Sequence, residues 1–350
     1  MIDGKYGFGI VGCGLVSTFH GQAINAIEQA KLVSAADLSQ ERLEKFCGEH
    51  GCEQAASFEA MLEDDRIDVI TVLTPNAYHA QFAIPAMQAG KHLVIEKPPE
   101  MTLEKVDQMI AARDAAGVKC AISLQVRFRK PVEAIKSAIE SGRFGRLLQG
   151  DTYMKWFRAT DYYLMDDWRS KREEGAGVTI QHAFHYIDVL YHLMGDVDTV
   201  RAQMYNLAHP EVELEDTVMA FVDYKNGAKG VVQGSTAMWP GTDIRIEING
   251  EDGTAIMQGE RMIEWKFRDE QPEDAEILSG DSQAFKTGAG GAADLAYFEH
   301  MYMIEDLLAA IQEDRSPRVS LESSRGSLEL ALAMYKSADN DSELVKLPLS

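Results

Sequence analysis

The stretch YGFGIVGCGLVSTFHGQAINAI, Tyr6 to Ile27, passes from an apolar run ending at Val11 through Gly12-Cys13-Gly14 into a pattern with Phe19, Ala23, Ile24 and Ile27 at helical spacing. Strand, glycine turn and helix in that order form the arrangement that a dinucleotide phosphate requires. Gly12 permits the tight turn, and Gly14 lets the backbone come close to a pyrophosphate. Leu15 and Val16 complete the candidate cofactor loop, and Ser17 holds the third small position in place of glycine. Such a loop is a weak signal by itself, and the next segment strengthens it. KLVSAADLS supplies a second apolar strand over residues 32–36, ending at Asp37, whose carboxylate can accept hydrogen bonds from an adenosine ribose. The same charge repels a 2′-phosphate, and Leu38 and Ser39 bring no cation to receive one. The expected cofactor is therefore NAD, with NADP disfavoured.

Buried strand patterns at residues 69–73, 92–95 and 119–123 alternate with helical segments, which argues for a parallel sheet with helices on both faces. Ligands of such sheets bind beyond the carboxyl ends of the strands. Two of those ends carry polar chemistry: Thr74-Pro75-Asn76 followed by His79, and Glu96-Lys97-Pro98. Lys97 stands between an apolar strand and two prolines, on stiff backbone that suits a group required to hold its position.

The chain of 350 residues is long enough for two domains, each with its own core. Residues 1–124 are expected to form the dinucleotide-binding domain and residues 125–350 the substrate-binding and oligomerisation domain, with the last helices free to pack back on the first. Hydrophobic residues at 45% and charged residues at 26% mark a globular chain. No apolar run approaches the roughly 20 residues of a membrane-spanning helix, and the N-terminus lacks the pattern of a signal peptide. A cytoplasmic location is expected. The net charge of −22 argues against a nucleic-acid partner, since a phosphate backbone is met by basic surface. The four cysteines show no CxxC spacing and read as free thiols, with no structural zinc implied. Gly280 to Ala292, GDSQAFKTGAGGA, is the only flexible-looking stretch.

In the second half, GVTIQHAFHYID, Gly177 to Asp188, sets His182, His185 and Asp188 three residues apart. On one continuous helix, Gln181, His185, Asp188 and His192 would share a narrow sector. Ligands at i, i+3 and i+6 turn steadily around a helix, unlike the i, i+4 pair of HExxH, so no metal is expected. Upstream, DYYLMDDWRSKREEGAG offers Trp168 to stack on a sugar face and Arg169 to pair with a carboxylate or phosphate. Alternating strands recur at TVMAFVDYK, GAKGVVQGST and DIRIEING, an antiparallel signal, and two helical patterns close the chain.

Through GIVGCGLVSTFH, TPNAYHAQFAIPAMQAGKHLVIEKPPE and GAGVTIQHAFHYIDVLYHLMGD, the chain resembles the Gfo/Idh/MocA family of sugar and polyol oxidoreductases over nearly its whole length. The resemblance implies an α/β fold, with an N-terminal Rossmann domain and a C-terminal α+β domain built on a large open, mostly antiparallel sheet. That sheet commonly makes the dimer or tetramer contact, so a homodimer or homotetramer is expected. The resemblance also implies that Lys97 reaches the reacting hydroxyl beside the nicotinamide and that His185 faces it. Gln125 and Arg127 match positions lining the nicotinamide pocket, where a structural role is equally open. Trp168 and Arg169 match a pair near the substrate; His182, from its place in the histidine stretch, is a substrate-side candidate that reads first as a packing histidine.

Many members carry an acid four residues before the histidine, where this chain has Gln181. A neutral amide offers hydrogen bonds but no charge to stabilise an imidazolium. The change suits a sugar nucleotide or sugar acid better than a free polyol such as inositol. A non-catalytic nucleotide-binding sensor is the rival from another class, and a metal-dependent hydrolase the weakest.

Overall fold

The computed structural model describes residues 2, 4–175, 177–259, 261–279 and 296–349. The stretch from Gly280 to Ala292 lies outside the described residues. The chain divides into two compact units, Met1–Gln125 with Ala296–Arg325, and Val126–Leu295 with Gly326–Ser350.

The first unit is built on six strands: β1 (Tyr6–Val11), β2 (Ala30–Ala36), β3 (Glu53–Gln54), β4 (Val69–Val72), β5 (His92–Ile95) and β6 (Cys120–Ile122). They pair in parallel in the order β3-β2-β1-β4-β5-β6. Helices cover both faces of such a sheet, so its central strands are apolar throughout. Phe8, Ile10, Val69, Ile70, Leu93 and Ile95 are accordingly fully buried. The strand order reverses between β1 and β4, which opens a crevice at their carboxyl ends. The helix Phe298–Gln312 packs on the helix Ser17–Ala26 within this unit.

The second unit carries eight strands: β7 (Leu147–Lys155), β8 (Val197–Tyr205), β9 (Thr217–Tyr224), β10 (Lys229–Ser235), β11 (Arg245–Gly250), β12 (Gly253–Gln258), β13 (Arg261–Phe267) and β14 (Val345–Lys346). Their order is β13-β12-β11-β7-β10-β9-β8-β14. All neighbours are antiparallel except β7 and β10. Along β9, Val218, Ala220 and Val222 turn into a core shared with Ile187, Leu190 and Ile135. Met219 and Phe221 between them face outward, the latter 71% exposed. One face is thus packed and the other open, as period-two alternation requires.

The expected single helix through Gly177–Met194 is corrected. The structure has a short helix, Val178–Gln181, and a second, Phe184–Met194, with a non-helical step at His182 (φ −122°, ψ −55°). The amides of His182 and Ala183 both reach the Val178 carbonyl, at 3.1 and 2.8 Å. This wide turn drops the His182 ring among aromatics, 5.2 Å from the Tyr162 ring and 6.3 Å from that of Trp156. Ring packing wins over helical continuity here because it buries a polar aromatic that a regular helix would leave in another sector.

Candidate functional site

In the first unit, Gly12 has φ +96°, and a side chain there would sit 2.7 Å from the Leu73 carbonyl oxygen. Only glycine fits this turn. Beside Gly14 nothing lies within 4 Å of where a Cβ would stand, so the backbone is approachable from the crevice. Leu15 is exposed and Val16 partly so. Asp37 closes the loop, accepting the Cys13 amide at 2.6 Å and the Ser39 amide at 2.7 Å. The carboxylate therefore sits at the end of β2 beside the glycine turn, where an adenosine would lie.

At the ends of β4 and β6, Thr74 Oγ1 and Gln125 Oε1 are shielded from solvent with no hydrogen-bond partner among the described residues. Buried polar atoms without partners are costly and call for a ligand or water. These orphans, the open Gly14 and the turn at Gly12 fit a dinucleotide. Pro75 is partly exposed and Asn76 buried. His79 is 0% exposed, and its ring nitrogens lie 2.8 Å from the Pro98 carbonyl and 3.0 Å from that of Thr74. Burial lowers its pKa, so the neutral ring donates to one of the two carbonyls. His79 thus packs between two strand exits.

Lys97 is the only partly exposed residue between Leu93 and Glu100. It leaves β5 through a cis peptide to Pro98. Its amide donates to Glu96 Oε2 at 3.1 Å, and Glu96 Oε1 meets His20 Nε2 at 2.9 Å. Burial would raise the Glu96 carboxyl, but the hydrogen bond and charge of His20, with a smaller effect of Lys97, hold it well below the usual carboxylate range. The Glu96 side chain is therefore buried, with one oxygen on His20 and the other on the Lys97 amide.

In the second unit, Gln181 and His185 are the only partly exposed positions between Val178 and Leu190. The start of their segment is pinned from a distance: Glu215 takes the Thr179 amide at 3.0 Å, and its carbonyl takes the Val178 amide at 3.0 Å. Tyr335 donates to the same carboxylate at 2.6 Å. A Cβ on Gly177 would be 2.1 Å from Glu215 Oε2, which is why glycine precedes this helix. Below His185, Asp188 is buried and accepts Arg127 Nε at 2.7 Å, Arg127 Nη2 at 2.5 Å and Ser327 Oγ at 2.6 Å. Of the two roles left open for Arg127, the geometry displays the structural one. Asp188→Ala would remove the buried carboxylate that takes two bonds from the Arg127 guanidinium and is expected to cost about 3–5 kcal/mol of stability, read as a lower denaturant midpoint; an unchanged midpoint would disprove the anchor.

Trp168 is partly exposed, and Arg169 stacks on it at 4.5 Å. Arg169 donates to Asp166 at 3.1 Å and to the Tyr162 hydroxyl at 2.8 Å, and Gln181 Nε2 reaches that hydroxyl at 3.5 Å. The sequence reading missed Tyr162, which joins Arg169 to Gln181, as well as His20 and Glu215. A cavity of about 470 Å³ elsewhere in this unit, lined by Arg172, Asn206, Glu215 and Asp339 among others, includes neither Gln181 nor His185. All four cysteines are free thiols. No helix of the described residues is long and apolar enough to cross a membrane.

Residues 6–124 match the family model of the oxidoreductase family with an NAD-binding Rossmann fold, and residues 132–256 match the Gfo/Idh/MocA C-terminal domain. The WlbA dehydrogenase of Bordetella pertussis, solved with NADH and UDP-GlcNAcA, superposes with a TM-score of 0.91 at 32% identity, over 100% of both chains. Its counterpart from Chromobacterium violaceum, with the same two ligands, gives 0.89 at 28% identity, over 100% of this chain and 98% of the other. The myo-inositol 2-dehydrogenase of Thermotoga maritima is 26% identical over 344 residues, 95% of this chain and 96% of the relative. Fold and cradle define an NAD-binding oxidoreductase, and the chain belongs to the Gfo/Idh/MocA family.

The Asp37 carboxylate is expected to set cofactor choice. Asp37→Ala should weaken NAD by roughly 10- to 100-fold, the worth of one or two hydrogen bonds to a charged group, and relax discrimination against NADP. Titration of both cofactors against both proteins checks it, and a wild type that prefers NADP would remove Asp37 from this role.

Proposed function

We propose that the protein oxidises a secondary hydroxyl of a nucleotide-linked sugar acid of the UDP-N-acetylglucosaminuronate type, with NAD as the acceptor. The observation that carries this reading is the full-length likeness to two dehydrogenases whose structures hold NADH and UDP-GlcNAcA. Gln181 supports it, because a site without the extra carboxylate leaves room for an anionic substrate beside His185. When bound, the nicotinamide supplies the hydride acceptor. Lys97 holds its ammonium at the end of β5 to hydrogen-bond the developing alkoxide. His185 takes the hydroxyl proton at a ring nitrogen. Trp168 offers its face to the sugar, and Gln181 donates or accepts a hydrogen bond at the hydroxyls.

The test is a panel of UDP-GlcNAcA, free sugar acids, levoglucosan and inositols, each with NAD and NADP, followed by reduced-cofactor absorbance. Turnover confined to the sugar nucleotide supports the reading, and turnover on inositol replaces it with a polyol dehydrogenase. Tight NAD binding with no turnover on any of them would favour a sensor.

Subunit contact belongs on the open sheet face around Met219 and Phe221, giving a homodimer or homotetramer. Phe221→Asp should shift the mass in light scattering toward the monomer; an unchanged mass places the contact elsewhere.

A further inference from the structure

His20, Glu96 and His300 come from a helix, a strand exit and a second helix of the first unit, and all three are buried, at 0%, 7% and 2% exposure. Their donor atoms lie within 4.8 Å of one another. Two ligands sharing a tetrahedral zinc at about 2.0–2.1 Å stand roughly 3.3–3.5 Å apart, whereas His20 Nε2 and Glu96 Oε1 are 2.9 Å apart. A proton between them fits that spacing better than an ion. His300 adds no charge, since burial and the neighbouring His20 push its pKa down to about 3. Its ring lies edge-on to His20 at 4.7 Å and stacks with Phe19 at 6.1 Å, walling the His20 ring in.

We infer that His20 is a positioning residue for Lys97, acting through Glu96. The inference rests on the proposed role of Lys97 in the oxidation. The Nε2–H of His20 fixes one oxygen of the buried carboxylate, and the other oxygen holds the Lys97 amide at 3.1 Å. The lysine backbone is thereby tied to the helix Ser17–Ala26, which begins directly after the glycine loop. The element that receives the cofactor phosphates and the residue that meets the substrate oxygen are held by one two-bond chain. A carboxylate deprived of its buried donor would rotate or take up a proton, and the strand exit would loosen while the sheet stays intact.

The experiment compares the wild type, His20→Leu and His20→Gln as NAD-loaded full-length proteins. Glutamine keeps an N–H within reach of the carboxylate, and leucine does not. The first readout is hydrogen exchange of the Lys97 amide, which needs no substrate. It should accelerate by at least about 10-fold in His20→Leu and stay near wild type in His20→Gln, with β1 amides unchanged in both. The second readout is turnover with UDP-GlcNAcA, where His20→Leu should lose roughly 10- to 100-fold in kcat with KM for NAD little changed, and His20→Gln should recover most of it.

Unchanged Lys97 exchange in His20→Leu overturns the inference. So does equal acceleration in both variants across β1, which marks a packing role only. One zinc per chain in the purified wild type, lost in His300→Leu, overturns it in favour of a metal centre. Absence of turnover on UDP-GlcNAcA with the exchange pattern intact overturns the substrate reading and leaves the positioning chain standing.

Discussion

Lys97→Met is expected to lower turnover by about 10²- to 10⁴-fold, the usual share of a positioned proton-transfer group, while NAD affinity stays nearly intact. Lys97 is partly exposed in a run whose neighbours from Leu93 to Glu100 are buried, so of this strand exit it is the side chain that solvent can reach. Methionine keeps an unbranched stem of similar length, and the Glu96 clamp acts on the Lys97 backbone amide, which the substitution retains. The fold should therefore survive with an unchanged melting temperature. Removing the cation takes away the donor that meets the alkoxide as charge develops on it, an effect confined to the transition state. Turnover, NAD titration by fluorescence and a thermal melt, made side by side, test the three parts. Near-wild-type turnover would remove Lys97 from the mechanism.

His185→Ala should abolish most of the activity, and Gln181→Asp should move the acidic limb of the rate profile to higher pH. A base for alcohol oxidation must be neutral before it can take the hydroxyl proton. A carboxylate nearby stabilises the imidazolium and raises the imidazole pKa, so a higher pH is needed to reach the same neutral fraction. The break at His182 means that residues 181 and 185 are not fixed one above the other on a single helix. Both are partly open to water, which screens the pair, so the shift is expected to be about one pH unit or less. Profiles of both proteins, with and without chelator, make the test. An unmoved acidic limb counts against His185 as the base, and loss of turnover on chelation would bring back the metal reading of the histidine stretch.

The dinucleotide fold was legible because its signals are local. The apolar run of β1, the glycines at 12 and 14 and the helix after them are separated by a few residues, and steric limits at Gly12 leave one type of turn. Alternation in TVMAFVDYK likewise marked an antiparallel strand, since a strand with one packed face repeats every two residues whatever it packs on. The stretch GVTIQHAFHYID held the right chemistry, yet its helical period could not show that ring packing at His182 would break it in two.

Hydrogen-bond partners across the fold are a different matter. His20 and Glu96 are 76 residues apart, Arg127 and Asp188 are 61 apart, and Glu215 and Tyr335 are 120 apart. Period and spacing tell which face of an element a side chain occupies, but not which distant polar group will meet it there. Glu96 read as a candidate cofactor contact at a strand exit, and Arg127 was open between a pocket role and a structural one, because neither reading could name the distant partner. The closed sheets and helices bring a His20 donor and an Asp188 carboxylate within 3 Å of them, and a buried charge must take the partner that the fold provides, because the alternative is to stand desolvated and unpaired.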